Sequence, residues 1–172
     1  RGLGDVYKRQ SMKNGGGALW DIGPYAIHTL RQCFKENPIR VKAIAKLNEH
    51  GADISTSGLI DFGNSKRATF DISFECTRRS EFEAFGPLGR VKCPTVWQPE
   101  DEQAKIIINT ESSGLTEEVV PAANHFVLEI NHFNKVIGTN LTQKLATEDS
   151  LWNVKTLESI QQSIQKDDWI NL

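Results

Sequence analysis

The sequence predicts an α+β domain, a mostly antiparallel open sheet with helices packed on one face. Three observations carry that expectation. Strand-like segments fill residues 39–120, helical periodicity is confined to the two ends, and no helix stands between two strands as a βαβ unit requires. A length of 172 residues, 38% hydrophobic and 24% charged, is enough for one soluble domain with a real core.

The first element follows three glycines in NGGGALWDIGPYAIHTLRQCF, residues 14–34. On a helical wheel Leu19, Ile22, Ala26, Leu30, Cys33 and Phe34 form a broad apolar face. Asp21, Tyr25, His28 and Gln32 form a narrow polar stripe opposite, each three or four positions from the last. Pro24 lacks an N–H, so the helix is expected to start irregularly or kink around Gly23.

Asn37-Pro38 ends that helix, and Ile39–Leu47, Ile54–Phe62 and Arg67–Phe74 then alternate with period two. Gly63-Asn64-Ser65 reads as the hairpin turn between the last two. Arg79–Phe85 and Arg90–Cys93 flank a Gly86-Pro87-Leu88-Gly89 turn, and Lys105–Thr110 and Leu115–Val120 make a further pair. Between these pairs, the loop Pro94–Glu102 sets Trp97 among prolines and acids. Two helices close the chain. Asn124 caps one whose apolar positions are Phe126, Ile130, Phe133 and Ile137, ending at Gly138. Thr147 caps the other, with Glu148 and Asp149 facing the positive end of its dipole and Leu151, Val154, Leu157, Ile160 and Ile164 as its core stripe.

Charge and composition narrow the function classes. Twenty basic against 22 acidic side chains, spread evenly, offer no basic stripe for nucleic acid. No apolar run approaches the roughly 18 residues of a membrane span. Cys33, Cys76 and Cys93 are odd in number and lack metal-ligand spacing, so no metal site is expected and a reduced, cytoplasmic chain is. Cys33 reads as core, and Cys76 and Cys93 as strand residues. Asp5–Gln10, DVYKRQ, looks like a translated sequencing adapter, so residues 1–10 are set aside and the domain is taken as 11–172. Gly2-Leu3-Gly4 imitates a dinucleotide fingerprint, but Tyr7 stands where its third glycine belongs and no strand precedes it.

The polar stripe of the first helix is the candidate site. A carboxylate, a phenol and an imidazole within about two turns can supply an acid, an orienting partner and a donor to one small ligand. Tyrosine donates a proton usefully only beside a cation, and none lies on the stripe. A solvated helix face behind a turn accounts for the same residues, and the residues alone leave both readings open. Trp97 can stack on a sugar ring or line a subunit contact. Trp20, beside the stripe, is a candidate for cofactor contact or for packing. His125 and His132 read as polar-face residues and His50 as a turn residue.

The pattern GGG-x-L-x-D-x-G-x-[HY], met here by Gly15, Gly16, Gly17, Leu19, Asp21, Gly23 and Tyr25, resembles the Gfo/Idh/MocA oxidoreductases. FEAFGPLGRVKCP resembles the family's strand–turn–strand, and HFVLEINHFNKVIG with TEDSLWNVKTLESIQQS resembles its two closing helices. The resemblance implies the C-terminal substrate and oligomerisation domain of such an enzyme, without the Rossmann domain that binds NAD or NADP. Many members of the family carry histidine at position 25; tyrosine there is similar to the glucose-fructose oxidoreductase and dihydrodiol dehydrogenase branch. It implies hydride transfer between a nicotinamide and a sugar, polyol or dihydrodiol, with Tyr25 passing the proton. Asp21 would orient the tyrosine or a substrate hydroxyl, and His28 would hydrogen-bond substrate or relay the proton. The missing cation would be the lysine of a Glu-Lys-Pro motif in the other domain. The expected partners are a small carbohydrate or diol substrate, that Rossmann domain, and further copies of the chain through the sheet face. The fragment alone is expected to bind no cofactor and to be inactive. The alternative is a stand-alone, non-catalytic α+β module that binds a saccharide or assembles subunits.

Overall fold

A computed structural model describes residues 15–97, 103–139 and 147–172. The stretch set aside at 1–10, and residues 98–102 of the Trp97 loop, lie outside them. The chain divides into two units, one of residues up to Cys76 together with those from Leu145 on, the other Thr77–Lys144.

In the first unit the opening helix is two: α1 (Ala18–Asp21) and α2 (Gly23–Phe34). The break falls where Pro24 predicts it. Ile22 takes φ −108° and ψ −33°, and Pro24 lies in the first turn of α2, where an N–H is not needed. The restart corrects the wheel drawn through both helices. The fully buried positions of α2 are Gly23, Ile27 and Arg31, whereas Cys33, read as core, is exposed.

Strands β1 (Arg40–Leu47), β2 (Asp53–Gly63) and β3 (Lys66–Ser73) follow as an antiparallel meander, with Val41 opposite Ile60 and Gly58 opposite Phe70. Cys76 lies just beyond β3 and is exposed. Alternate side chains of these strands, Val41, Ala43, Ile54, Ile60, Phe62, Phe70 and Ile72, are buried, as one covered face demands. The cover is α1, α2 and the last helix of the chain, numbered α4 here (Thr147–Lys166). Leu157 and Ile160 of α4 are buried as expected, but Leu151 is 65% and Val154 44% exposed. Thr156, Ser159 and Ser163 are buried in their stead. Small side chains let α4 lie close to the sheet, and the Thr156 hydroxyl donates to the Trp152 carbonyl (2.7 Å). The Ser163 hydroxyl donates to the Asp168 carbonyl (2.6 Å) and accepts from Ala43 N–H (3.0 Å). The Ala43 bond is needed because the neighbouring strand, β8 (Ile170–Asn171), reaches only Arg40 and Val41. Two residues give no periodicity to read, so the sequence does not predict β8.

Asp61, near the end of β2, accepts from Gly63 N–H (2.9 Å) across the hairpin turn and from Arg40 Nε (2.8 Å). The backbone donor first, then the guanidinium, hold its carboxyl below the ordinary aspartate range. A depressed folded-state value means that the associated stability is present above the ordinary aspartate range and lost as pH falls through the depressed value. A carboxyl NMR titration should place the Asp61 midpoint below that of an unstructured aspartate. Equal midpoints would show that neither donor acts on it in solution.

The second unit is a separate antiparallel sheet in the order β4 (Phe82–Gly86), β5 (Gly89–Cys93), β6 (Ala104–Thr110), β7 (Gly114–Val120), followed by α3 (His125–Thr139). The sequence points to a single sheet; the seven expected strands instead share out between two. Gly86 faces Gly89 across the Pro87-Leu88 turn, and Asn124 Oδ1 accepts from Val127 N–H (3.1 Å), capping α3 as its sequence suggests. No described residue of this unit is fully buried. The α3 stripe of Phe126, Ile130, Phe133 and Ile137 stays 59–64% exposed. Among the described residues no helix is long and apolar enough to cross a membrane.

Candidate active site

The glycine-rich turn is held by the sheet. Gly17 has φ +131°, and a Cβ there would stand 2.0 Å from Asp53 Oδ1. Asp53, opening β2, accepts from the Leu19 N–H (2.8 Å) and the Thr56 hydroxyl (2.7 Å), and so caps α1 from across the fold. Glycine at 17 is what lets the carboxylate approach. Gly17→Ala should cost about 1–3 kcal/mol from backbone strain alone, read from urea denaturation followed by tryptophan fluorescence. A wild-type midpoint would remove the packing role given to Gly17. Gly23 is closely packed: a Cβ there would lie 3.0 Å from Leu157 Cδ2 and 3.2 Å from Leu19 Cδ1, so these leucine ends would have to give by a few tenths of an ångström.

Gly17 thus stands before α1 and Gly23 opens α2. Asp21 closes α1 and is half-buried. Tyr25, in the first turn of α2, is 52% exposed. Its main chain is fully used, the N–H donating to the Ile22 carbonyl (3.1 Å) and the carbonyl accepting from Thr29 Oγ1 (2.9 Å). The phenol therefore projects from a backbone that cannot shift freely. Next to it, Asn153 of α4 donates through Nδ2 to the Pro24 carbonyl (3.2 Å), while its Oδ1 is buried without a partner among the described residues.

The far end of the stripe converges on one carboxylate of α4. Asp149 Oδ2 lies 3.1 Å from His28 Nδ1, and Oδ1 lies 3.1 Å from Arg31 Nη2 and 3.1 Å from Gln32 Nε2. Arg31, 5% exposed, also donates through Nη1 to the Asp149 carbonyl (2.8 Å) and through Nε and Nη2 to Asn37 Oδ1 (3.1 and 2.9 Å). Asp149 sits in the first turn of α4, where the helix dipole favours a negative charge. His28 and Gln32 are thus tethered polar residues rather than a purely solvated face. Sequence reasoning missed Arg31, which reads as one more polar residue until Asp149, 118 positions away, is folded against it.

Trp20 packs against the core and donates Nε1–H to Gln161 Oε1 (3.3 Å), so its polar edge is spent on α4. Trp97 belongs to the second unit. Its N–H donates to Ser80 Oγ (3.2 Å), and that hydroxyl donates to the Trp97 carbonyl (3.2 Å). The residues Asp21, Tyr25 and His28 all belong to the first unit, and Trp97 belongs to the other.

The model of the GFO/IDH/MocA C-terminal domain matches residues 4–92, which hold the glycine turn, the stripe and the first five strands. The chain belongs to this family. An uncharacterized oxidoreductase of Rhizobium meliloti is 30% identical over 162 residues, covering 90% of this chain and 48% of that protein. A dTDP-3,4-didehydro-2,6-dideoxy-alpha-D-glucose 3-reductase of Saccharopolyspora spinosa is 29% identical over 86% of this chain and 46% of its own length. Among solved structures, a 3-ketoreductase from Actinomadura kijaniata in complex with NADP and TDP-benzene superposes with a TM-score of 0.81 at 22% identity, over 95% of this chain and 50% of that one. At that identity the likeness is one of fold. The chain spans about half the length of the curated relatives it matches. Within the GFO/IDH/MocA family it is an α+β C-terminal domain with two antiparallel sheets.

Proposed function

We propose that this chain is the substrate-side half of an NAD(P)-dependent oxidoreductase that reduces or oxidises a sugar, polyol or related diol. The observation that carries the reading is the half-exposed Tyr25, set by a fixed backbone one turn before the tethered His28 on α2, with Asp21 closing the helix before it. The nicotinamide supplies the hydride or takes it up. The described residues contain two antiparallel sheets and no βαβ unit, so they offer substrate-facing groups and not a pyrophosphate cradle. Cofactor binding is therefore assigned to a further domain of the whole protein, and the chain by itself is assigned no activity.

In the reductive direction the substrate carbonyl carbon gains a hydride and its oxygen gains the Tyr25 hydroxyl proton, leaving a phenolate that is reprotonated from solvent. In oxidation the same proton moves from the substrate hydroxyl to Tyr25. His28 accepts a hydrogen bond from the substrate or relays the proton, and Asp21 orients the phenol. Arg31 is spent on Asp149 and Asn37, so the cation that favours proton transfer must come from outside the stripe. The exposed apolar stripe of α3 and the face of β7 carrying Leu115 and Val119 support a homo-oligomer, and three free cysteines support a cytoplasmic location.

The test is an assay of the whole protein for reduced nicotinamide formed from NAD⁺ or NADP⁺ with a panel of aldoses, polyols and dihydrodiols. Turnover with at least one such class is expected. Binding of these compounds without turnover under either cofactor would favour the non-catalytic module.

A further inference from the structure

Three residues of α4 spaced four apart meet α2 in reverse order: Asp149 at Arg31 and Gln32, Asn153 at Pro24, and Leu157 at Gly23. Packing at the middle position asks only for an apolar side chain of this volume. The chain instead places an amide there, and its Oδ1 is buried with no partner among the described residues. A buried acceptor without a donor lowers stability, and an apolar side chain of the same shape carries no such loss. What the amide supplies is one directed bond, from Nδ2 to the Pro24 carbonyl at 3.2 Å. Turned over, it would set Oδ1 against that carbonyl, oxygen to oxygen, so this bond decides which way the amide lies. The carbonyl belongs to the peptide that joins Pro24 to Tyr25. Pro24 has no N–H, so the first turn of α2 has one main-chain bond fewer with which to hold that peptide. The Tyr25 N–H donates to the Ile22 carbonyl (3.1 Å), at the break between α1 and α2. Asn153 ties the same peptide from another helix.

We propose that Asn153 is a positioning residue for Tyr25: it anchors the Pro24–Tyr25 peptide to α4 and so sets where the phenol stands. It serves that placement and not the stability of the fold, since the same side chain leaves an acceptor buried and unpaired. The catalytic half of this inference rests on the reading under Proposed function; the anchoring half does not.

The two halves are tested separately. Proline precedes tyrosine only once in the sequence, so the 172-residue chain labelled with ¹³C′-proline and ¹⁵N-tyrosine gives a single HNCO cross-peak, from the Pro24–Tyr25 peptide. Asn153→Leu removes the donor and the unpaired acceptor together while keeping the volume. The Pro24 carbonyl carbon should move upfield, as a carbonyl does on losing a donor, and the urea midpoint should equal or exceed that of the wild type. An unmoved carbonyl or a lower midpoint overturns the proposal. Asn153→Ala deletes the same two polar atoms without adding a branch, and gives the carbonyl shift if the leucine variant does not fold. These measurements read a hydrogen bond and a stability, so their failure is distinct from absence of turnover. In the whole protein, Asn153→Leu should lower kcat about tenfold or more, as expected when a reacting group is misplaced, with KM for the cofactor unchanged. A residue of merely structural role would reduce the amount of folded enzyme and leave kcat per folded molecule as it was. A kcat per folded molecule within about twofold of wild type overturns the positioning role.

Discussion

Replacing Arg31 with alanine is expected to cost the first unit about 3 kcal/mol or more of folding free energy, the size typical of breaking a buried ion pair from one side. The guanidinium is 5% exposed, donates to the Asp149 carbonyl and Asn37, and lies 3.1 Å from the Asp149 carboxylate as an ion pair. Removing it leaves an Asp149 carboxylate that is only 17% exposed facing a void, together with a main-chain carbonyl stripped of its donor. Urea denaturation gives the number. A loss under about 1 kcal/mol, as for an exposed pair, would contradict the anchoring role. The double replacement Arg31→Met with Asp149→Leu is the informative control. If the penalty comes from an uncompensated charge, the double variant should recover most of the loss despite making fewer hydrogen bonds.

How much of this was legible in the sequence depends on the range of the interaction. The strands β1, β2 and β3 were readable because their alternate residues face one covered side, and the break before Gly23 because Pro24 acts on its own turn. The cap at Asn124 is equally local. What escaped depends on partners distant in sequence. Continuing one wheel through Ile22 put Cys33 inside and overlooked Ile27 and Arg31, since the break resets the helical phase. Leu151 and Val154 look like core at helical spacing, but Thr156 and Ser163 take the buried places because α4 must approach the sheet closely. β8 is two residues long and shows no period. The stripe itself was legible as a list of residue types. Its dependence on Asp149, Asp53 and Asn153 was not, because each of those contacts joins elements that only the fold brings together.

The second large effect concerns the phenol. Tyr25→Phe removes one oxygen from a side chain that is 52% exposed and whose hydroxyl bonds to nothing among the described residues. The fold should register less than about 0.5 kcal/mol, as for an ordinary surface substitution. Chemistry should register far more. A proton passed by a positioned acid or base contributes roughly 10²–10⁴-fold, and phenylalanine can neither give nor take one. Because the change falls on the transition state, kcat and kcat/KM should drop together while KM for the cofactor stays put. Asp21→Asn should reduce turnover less, since it acts on the orientation of the phenol and not on the proton itself. The decisive measurement is kcat of the Tyr25→Phe variant of the whole protein, followed through the reduced nicotinamide, on the best substrate of the wild type. A fall of about 10²-fold or more with unaltered stability is the result predicted for a tyrosine that carries the proton. Turnover within a few-fold of wild type would take Tyr25, and with it the stripe, out of the chemistry.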